Sequence, residues 1–346
     1  MLHEFADYSK LCRAKVLLFP SQCFLCVDLL IRFLFAIIRY DAEAVLSCSG
    51  IAMHSTFNLR WDLSERAQRY ARAQGVPYCL SYGERSSVCF APYKSNTLHG
   101  NFLPRSYAAI QANPEWRKRL EKVHTQGGRS LPANERGRWR ELDTCVSSDA
   151  LLMNIFCYPG VRTSSKFLAF LNVQPAPAPC LEFGYRARVP FVNGRLDRTE
   201  VDLRIGDLLI EAKLTESDFQ SAAKNIVLGY RDLPEVFDIQ QLPQTENRFS
   251  CYQLLRNVLA AYALNCSFCV LIDARRPDLA EAWCSVMRAV KWADLRTRLR
   301  IATWQELATA LPARLQSFLA AKYGICGKEV GYAESSAFIH HSYAST

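Results

Sequence analysis

Residues 199–213, TEVDLRIGDLLIEAK, constrain the fold more than any other part of the sequence. Two runs that alternate polar and apolar residues flank the dipeptide Gly206-Asp207. A glycine-containing dipeptide between two such runs predicts a two-residue β-hairpin turn. If the hairpin closes there, Ile205 lies opposite Leu208, and the other pairs on that side are apolar as well. The segment therefore predicts two antiparallel strands with one continuous apolar face.

The other face of the predicted hairpin is charged. Its register places Asp202 directly opposite Glu211, and like charges in that position destabilise a sheet. Two opposed carboxylates become favourable when a hard cation such as Mg²⁺ binds between them. Lys213 lies on the same face, roughly 6.6 Å along the strand, where its charge could stabilise a phosphate or orient a water. An alternative stays open, in which Glu200 forms a plain ion pair with Lys213 and the opposed carboxylates are tolerated in water.

Strands and helices alternate along the chain from Leu181 onward. This alternation predicts an α/β fold with a mixed central β-sheet flanked by helices, preceded by an α-helical N-terminal extension. The apolar run at 268–273 is expected to be central in the sheet, since a strand buried on both faces needs no polar side. Helices are predicted at 58–74, 113–124, 147–158, 217–229, 252–265, 279–290 and 305–323.

Charge, cysteine content and missing motifs restrict the class of protein. The formal net charge of +9 fits a phosphate-binding surface and a merely solvated basic surface equally well. Fourteen cysteines scattered through apolar runs favour a reducing cytoplasm. The pairs Cys23-x-x-Cys26 and Cys266-x-x-Cys269 have half of a zinc-site spacing and are interpreted as buried thiols. The sequence has no phosphate-binding glycine-lysine loop and no dinucleotide fingerprint, which argues against an NTP-driven or redox enzyme.

The charged face of the hairpin resembles the signature of a known family. Asp202, with Glu211-Ala212-Lys213 after an aliphatic strand, resembles the PD-(D/E)XK nuclease superfamily, and in particular its bacterial restriction-endonuclease-like branch. The resemblance covers roughly residues 138–323, and Val201 stands where the family's proline would be. It implies a restriction-endonuclease-like core in which Asp202 and Glu211 bind Mg²⁺ or Mn²⁺ and Lys213 is the catalytic lysine.

The same resemblance suggests further site residues. Many members add an acidic residue from the first helix or strand, a role for which Glu141, Asp149 and Glu182 compete, with Glu200 as a further option. Asp149 has the alternative role of stabilising a helix N-terminus, and Glu182 could be a solvated charge on an edge strand. Gln253 matches a glutamine that some relatives place on a following helix, although a polar helix face explains it equally well.

Basic residues are expected to hold a nucleic-acid backbone along the cleft. They come mainly from two basic series, at 101–140 and at 288–300. The residues assigned to this role are Arg117, Lys118, Arg129, Arg138, Arg140, Arg256 and Lys291.

Four parts are expected along the chain. They are a doubtful N-terminal extension at 1–52, a helical and basic region at 53–137, the nuclease-like domain at 138–325 and a disordered tail at 326–346. Met53 is an alternative start. No stable membrane insertion is expected, because the hydrophobic run at 15–39 carries Asp28 and Arg32 near its middle.

The sequence thus predicts a cytoplasmic, metal-dependent nuclease that hydrolyses nucleic-acid phosphodiester bonds. DNA is the favoured substrate, and a homodimer is an open option. The alternative is a catalytically inactive nucleic-acid-binding or protein-interaction module on the same fold, which would bind in a salt-sensitive way without cleavage.

Overall fold

The computed structural model describes residues 48–81, 86–91, 97–122, 139–175 and 179–327, with side chains from residue 58 onward. The chain divides into two compact units, Met1–Ile51 and Ala52–Thr346, and nearly all of the described residues belong to the second. Most of the predicted extension at 1–52 and the predicted disordered tail after residue 327 lie outside the described residues.

The described residues form short strands and helices around one larger sheet. The strands, in chain order, are β1 (Cys79–Leu80), β2 (Val88–Cys89), β3 (Leu181–Arg186), β4 (Val189–Pro190), β5 (Leu196–Asp197), β6 (Glu200–Ile205), β7 (Leu208–Ala212), β8 (Ser221–Ala223), β9 (Arg248–Ser250), β10 (Ser267–Ile272) and β11 (Leu299–Thr303). The α-helices are α1 (Cys48–Ala73), α2 (Pro104–Ala112), α3 (Pro114–Arg119), α4 (Ser148–Phe156), α5 (Ser165–Leu171), α6 (Lys224–Val227), α7 (Leu233–Val236), α8 (Tyr252–Ala263), α9 (Pro277–Ala289), α10 (Ala293–Thr297), α11 (Trp304–Ala308) and α12 (Ala313–Tyr323). Short 3₁₀ turns lie at Glu141–Asp143, Val161–Thr163 and Ile239–Gln241.

Five strands form the central sheet, in the spatial order β11-β10-β7-β6-β3. The strands β3, β6 and β7 are antiparallel neighbours, whereas β10 is parallel to both β7 and β11. The sheet is therefore mixed, and the predicted α/β class is confirmed. The apolar run predicted at 268–273 is the inner strand β10.

Apolar clusters cover both faces of this sheet. Along β10, Cys269 and Leu271 belong to the cluster that contains α4 and α12, whereas Phe268 and Val270 belong to the cluster that contains α8 and α9. All residues of β7 are buried. Because side chains alternate between the two faces of a strand, Glu211 lies on the same side of β7 as Leu209, which packs in the α8 cluster. The charged face that the hairpin was expected to show is thus largely buried.

The hairpin closes in the predicted register, but its ladder is shorter than predicted. Pairing of β6 with β7 extends only as far as Leu203 and Ile210. Asp202 and Glu211 are therefore not a directly opposed pair, which corrects that prediction. Instead, the Ala212 N–H donates to Asp202 Oδ2 at 2.9 Å.

The early end of this ladder has a physical cause in the neighbouring strands. Beyond Leu203, β6 stays paired with β3, and β7 stays paired with β10. The twist between neighbouring strands then separates β6 from β7 where no backbone–backbone hydrogen bonds join them. We call this separation of residues 200–202 from residues 211–213 the fork.

The helix predicted at 217–229 is wrong. The chain runs through β8 and the four-residue helix α6 instead, and Gln220 has a φ of 60°. The carbonyl groups of Phe219 and Gln220 accept hydrogen bonds from the N–H groups of Gln253 and Tyr252. Phe219 is fully buried. Pairing with distant backbone and burial of Phe219 therefore outweigh the local helix signal.

Most other predicted helices are confirmed as α1, α3, α4, α8 and α9. The Asn113 side chain accepts from the N–H groups of Glu115 and Trp116 at the start of α3. The Ser147 side chain caps α4 by accepting from the Ala150 N–H. The single helix predicted at 305–323 is divided into α11 and α12 because Pro312, at the N-cap of α12, cannot continue a helix.

The structure also bears on the membrane and cysteine predictions. Among the described residues, no helix combines the length and the apolar character that a bilayer crossing requires. The hydrophobic run at 15–39 lies outside those residues. Cys266 and Cys269 are buried, and this burial raises the pKa of each thiol to about 11.

Candidate active site

A cleft opens at the fork and extends to the N-terminus of α4. Acidic side chains dominate its lining, since Glu141, Asp149, Asp202, Glu211 and Glu216 all contribute to it. The cations in the same lining are Arg60, Lys122 and Lys213. The predicted trio Asp202, Glu211 and Lys213 is thus brought together, although not by direct cross-strand pairing.

Glu211 is held by donors on both carboxylate oxygens. Lys213 Nζ lies 2.8 Å from Oε1, and Asn257 Nδ2 lies 2.9 Å from Oε2. Asn257 belongs to α8 and is itself fixed by Arg256, whose Nη2 also donates to the Glu200 carbonyl at 2.8 Å. The Glu211 carboxylate therefore has one defined orientation toward the cleft.

The electrostatics of this pair favour two charged groups. Burial alone would raise the pKa of Glu211, but Lys213 and Arg256 outweigh it and lower the pKa below its ordinary value. Burial alone would lower the pKa of Lys213, but the carboxylates of Glu211, Glu216 and Asp202 outweigh it and raise that pKa. Lys213 is thus an ammonium group and Glu211 a carboxylate.

The surroundings of Asp202 raise its pKa, whereas those of Glu211 lower the pKa of that residue. Its side chain is one-fifth exposed, and its nearest cation, Arg119, lies 3.8 Å away at Oδ1. Burial, together with the nearby charges of Glu211 and Asp149, raises the pKa of Asp202 to about 8. A further cation in the cleft would stabilise the ionised form of this carboxyl group, because it would compensate the negative charge.

The acidic residue at the start of α4 is already compensated. Asp149 accepts from Arg119 Nη2 at 3.1 Å and from Lys122 Nζ at 2.7 Å. Lys122 also lies 3.1 Å from Glu141. Arg119 further binds Glu200 Oε2 at 2.7 Å. The end of α3 therefore carries two cations into the acidic end of the cleft.

Glu216 joins the opposite edge of the cleft to α4. Its Oε1 accepts from Ser148 Oγ at 2.5 Å, and its Oε2 accepts from the Leu214 N–H at 2.6 Å. The chain that follows β7 is thereby fastened to the start of α4. This contact fixes the width of the cleft between its two walls.

The donor set fits a hard divalent cation. Within the described part of the chain, no group of three or more His, Cys, Asp or Glu side chains forms a closed metal site. Mg²⁺, however, is usually held by one or two carboxylates and keeps waters or substrate oxygens as its other ligands. Asp202 and Glu211 supply two carboxylates at the fork. Burial, and next to it the negative charge of Glu211, raises the pKa of Asp202.

Of the predicted residues Gln253, Glu182 and Glu200, only Gln253 lines the cleft. Gln253 lines the cleft, and its Oε1 is buried without a hydrogen-bond partner among the described residues. Glu182 is exposed on β3 and is not part of the cleft lining. Glu200 binds Arg119 and Arg186 rather than Lys213, which corrects the alternative of a Glu200–Lys213 ion pair.

The predicted nucleic-acid-binding residues that the structure describes lie in different surroundings and do not form one surface along the cleft. Arg117 and Arg140 line a second pocket beside the cleft. Lys118 is exposed and paired with Glu115, and Lys291 donates to the Pro234 carbonyl. Two of the predicted residues, Arg129 and Arg138, lie outside the described residues.

Arg256 was predicted to bind nucleic acid, but its position corrects that expectation. Its side chain is only 3% exposed, and its guanidinium is occupied by Asn257 and the Glu200 carbonyl. It cannot reach a backbone phosphate without leaving this network.

Two further residues, Asn257 and Arg119, shape the site but are not among the predicted site residues. Asn257 lies one helical turn after Gln253, and side chains with that spacing share a helix face. That spacing could have indicated a role for Asn257 at the site. Arg119 carries no comparable signal, because it meets Asp149 and Glu200 only through the tertiary fold.

Fold and site together define a restriction-endonuclease-like protein. The family model described as REase-ARP, Restriction Endonuclease associating with ARP, matches residues 65–324, which is about three quarters of the chain. The chain therefore belongs to the REase-ARP family. No curated protein and no solved structure matches it.

Proposed function

We propose that the chain is a metal-dependent nuclease of the PD-(D/E)XK type that hydrolyses phosphodiester bonds, with DNA as its substrate. One observation carries the proposal, namely the convergence of Asp202, Glu211 and Lys213 in a single cleft at the fork. Membership of a family described by the words restriction endonuclease supports it.

Asp202 and Glu211 are the residues that would hold the metal ion. A bound Mg²⁺ or Mn²⁺ supplies Lewis-acid polarisation of the phosphate and a water of lowered pKa. Asn257 and Lys213 keep the Glu211 carboxylate in place and ionised. Lys213 also brings a fixed positive charge to the cleft, where negative charge develops on the phosphate in the transition state.

The cations at the end of α3 have a separate role in this proposal. Arg119 and Lys122 compensate Asp149 through direct ion pairs. Among the described residues, Asp202 has no cation within hydrogen-bonding distance, and its nearest ion-pair partner, Arg119, lies 3.8 Å away, so an added metal ion is directed to the fork. Arg117 and Arg140, in the neighbouring pocket, are suited to hold the backbone of the substrate.

The test is cleavage of supercoiled plasmid DNA in the presence of Mg²⁺ or Mn²⁺. Wild-type protein should nick the plasmid, and Lys213→Ala and Asp202→Asn should each reduce the rate by about 10² or more. Lys213→Ala leaves Glu211 with a buried unpaired charge and could fail to fold. Asp202→Asn avoids this difficulty because an amide oxygen can still accept from the Ala212 N–H.

Glu182→Gln is the matched control, since it neutralises an exposed carboxylate on the same sheet outside the cleft. It should cleave at the wild-type rate. Full activity of folded Asp202→Asn would rule out the proposed metal site. An absence of cleavage by the wild type under all metal conditions would favour the non-catalytic module. The family description also names ARP, and we propose that the nuclease is one component of an assembly with such a partner.

A further inference from the structure

The connection between β3 and β6 forms a small hairpin at the same end of the sheet as the fork. Its strands β4 and β5 pair Val189 with Asp197 and Pro190 with Leu196. We call residues 187–199 the arginine hairpin, because three of the four arginines at 186–198 lie within it. Glu200, the first residue of β6, follows it directly, and Asp202 lies two residues further along the strand.

 The charge of the arginine hairpin is strongly one-sided. Its arginines are Arg188, Arg195 and Arg198. All three are exposed and form no ion pair within the described part of the chain. The one acidic residue, Asp197, is occupied by the hydroxyl groups of Tyr230 and Tyr252. The surface therefore presents uncompensated positive charge.

The base of the arginine hairpin is held firmly against the rest of the fold. The Phe191 ring stacks on Tyr230 with a centroid distance of 4.5 Å, and the Val192 N–H donates to the Gly229 carbonyl at 2.9 Å. Beyond this base the side chains are free to meet a partner, since Val192 is 72% exposed and Leu196 is 48% exposed. A fixed backbone reduces the entropy lost when a ligand binds.

The arginine hairpin is also close to the cleft along the chain. Asp202 lies four positions after Arg198, a span of at most roughly 13 Å at about 3.3 Å per residue. Duplex DNA advances by about 3.4 Å per base pair, so this span corresponds to about four base pairs. Tyr252, which contacts Asp197, directly precedes Gln253 in the cleft lining.

We propose that the arginine hairpin binds duplex DNA beside the scissile phosphate. This inference rests on the proposed nuclease function and adds a substrate-binding surface to it. The uncompensated arginines match the phosphate backbone, and a two-stranded ribbon with exposed apolar side chains such as Val192 and Leu196 fits a DNA groove.

The test measures binding of the full chain to a fluorescent DNA duplex in EDTA, where no cleavage occurs, over a series of salt concentrations. The variant replaces Arg188, Arg195 and Arg198 with alanine. It should bind at least about tenfold more weakly at low salt, and the slope of log K against log salt should fall by about 2.7, or about 0.9 for each lost phosphate contact.

The matched control replaces three exposed cations outside the hairpin and the cleft lining, Arg72, Lys166 and Arg314, with alanine. It removes the same charge and should keep a clearly larger slope than the hairpin variant. Equal binding by the two triple variants would overturn the inference. Equal loss of affinity for a single strand, or displacement of the duplex by poly-L-glutamate at equal charge, would also overturn it in favour of a general acidic partner.

The two proposals fail separately in this design. If the wild type cleaves plasmid DNA but the hairpin variant binds the duplex like the wild type, only the inference about the hairpin is wrong. If the wild type never cleaves but the hairpin variant loses binding and the control does not, the inference stands and the nuclease proposal is wrong.

Discussion

Lys322 is a buried lysine, with only 1% of its area accessible. Its Nζ donates to the backbone carbonyl and the side-chain oxygen of Asn101, at 2.7 and 2.6 Å. Four aromatic rings surround it, and that of Phe90 is the nearest, with its centroid 4.8 Å away. Burial lowers the pKa of Lys322 to about 7.

This pKa predicts how stability depends on pH. Between pH 7 and the ordinary lysine pKa, the unfolded chain binds a proton at Lys322 that the folded chain does not, so this group's contribution to the free energy of unfolding rises with pH. The slope is at most about 1.4 kcal/mol per pH unit. Urea titrations at pH 7 to 9.5 should show the free energy of unfolding of the wild type rising with pH relative to that of Lys322→Met. A constant difference would show that the aromatic rings keep the ammonium charged.

At the scale of elements, strand β3 approaches helix α3 through a glycine. Gly184 has a φ of 65°, and a Cβ there would lie 2.5 Å from Arg119 Nη1 and 2.9 Å from Glu200 Oε2. Gly194 has a similar φ of 77°, but nothing lies within 4 Å of its Cβ position. The two glycines share a backbone conformation and differ in their surroundings.

Gly184→Ala and Gly194→Ala are therefore a matched pair. Both variants should be destabilised by the left-handed backbone conformation, but only Gly184→Ala should also displace the Arg119–Glu200 ion pair. We expect Gly184→Ala to lower the free energy of unfolding by about 1 to 2 kcal/mol more than Gly194→Ala. Denaturant unfolding measures both, and equal losses would contradict the close packing of β3 against α3.

The elements that the sequence predicted correctly are those with local causes. The helix predicted at 147–158, which Ser147 caps, and the Gly206-Asp207 turn both depend on neighbouring residues, and the structure confirms both. The helix at 217–229 failed because Phe219 and Gln220 bind the start of α8, more than thirty residues further along the chain. Contacts of this kind have no local signature in a single sequence.

The site follows the same rule. Asp202, Glu211 and Lys213 could be predicted because they lie on one hairpin. Asn257 meets Glu211 across 46 residues, and Arg119 meets Glu200 across 81. Such pairs depend on how α8 and α3 pack on the sheet.

At the scale of the whole molecule, a metal ion that binds only the folded chain should stabilise it. Mg²⁺ at about a hundred times its dissociation constant should raise the free energy of unfolding by about 2.7 kcal/mol. Asp202→Asn should lose this increase, and in EDTA near pH 8 it should be more stable than wild type, because burial and nearby carboxylates disfavour the ionised Asp202. Thermal melts with and without Mg²⁺ measure both effects. The Glu182→Gln control should respond to Mg²⁺ like the wild type, and an unchanged response in Asp202→Asn would contradict the assignment.

The hydrogen bond between Asp202 Oδ2 and the Ala212 N–H has a consequence for the whole sheet. It takes the place of a backbone pair that the separated strands can no longer make. The same carboxylate thus terminates the sheet and faces the cleft, so the end of the sheet and the occupancy of the cleft form one coupled equilibrium. The Ala212 amide is consequently a natural reporter of what the cleft contains.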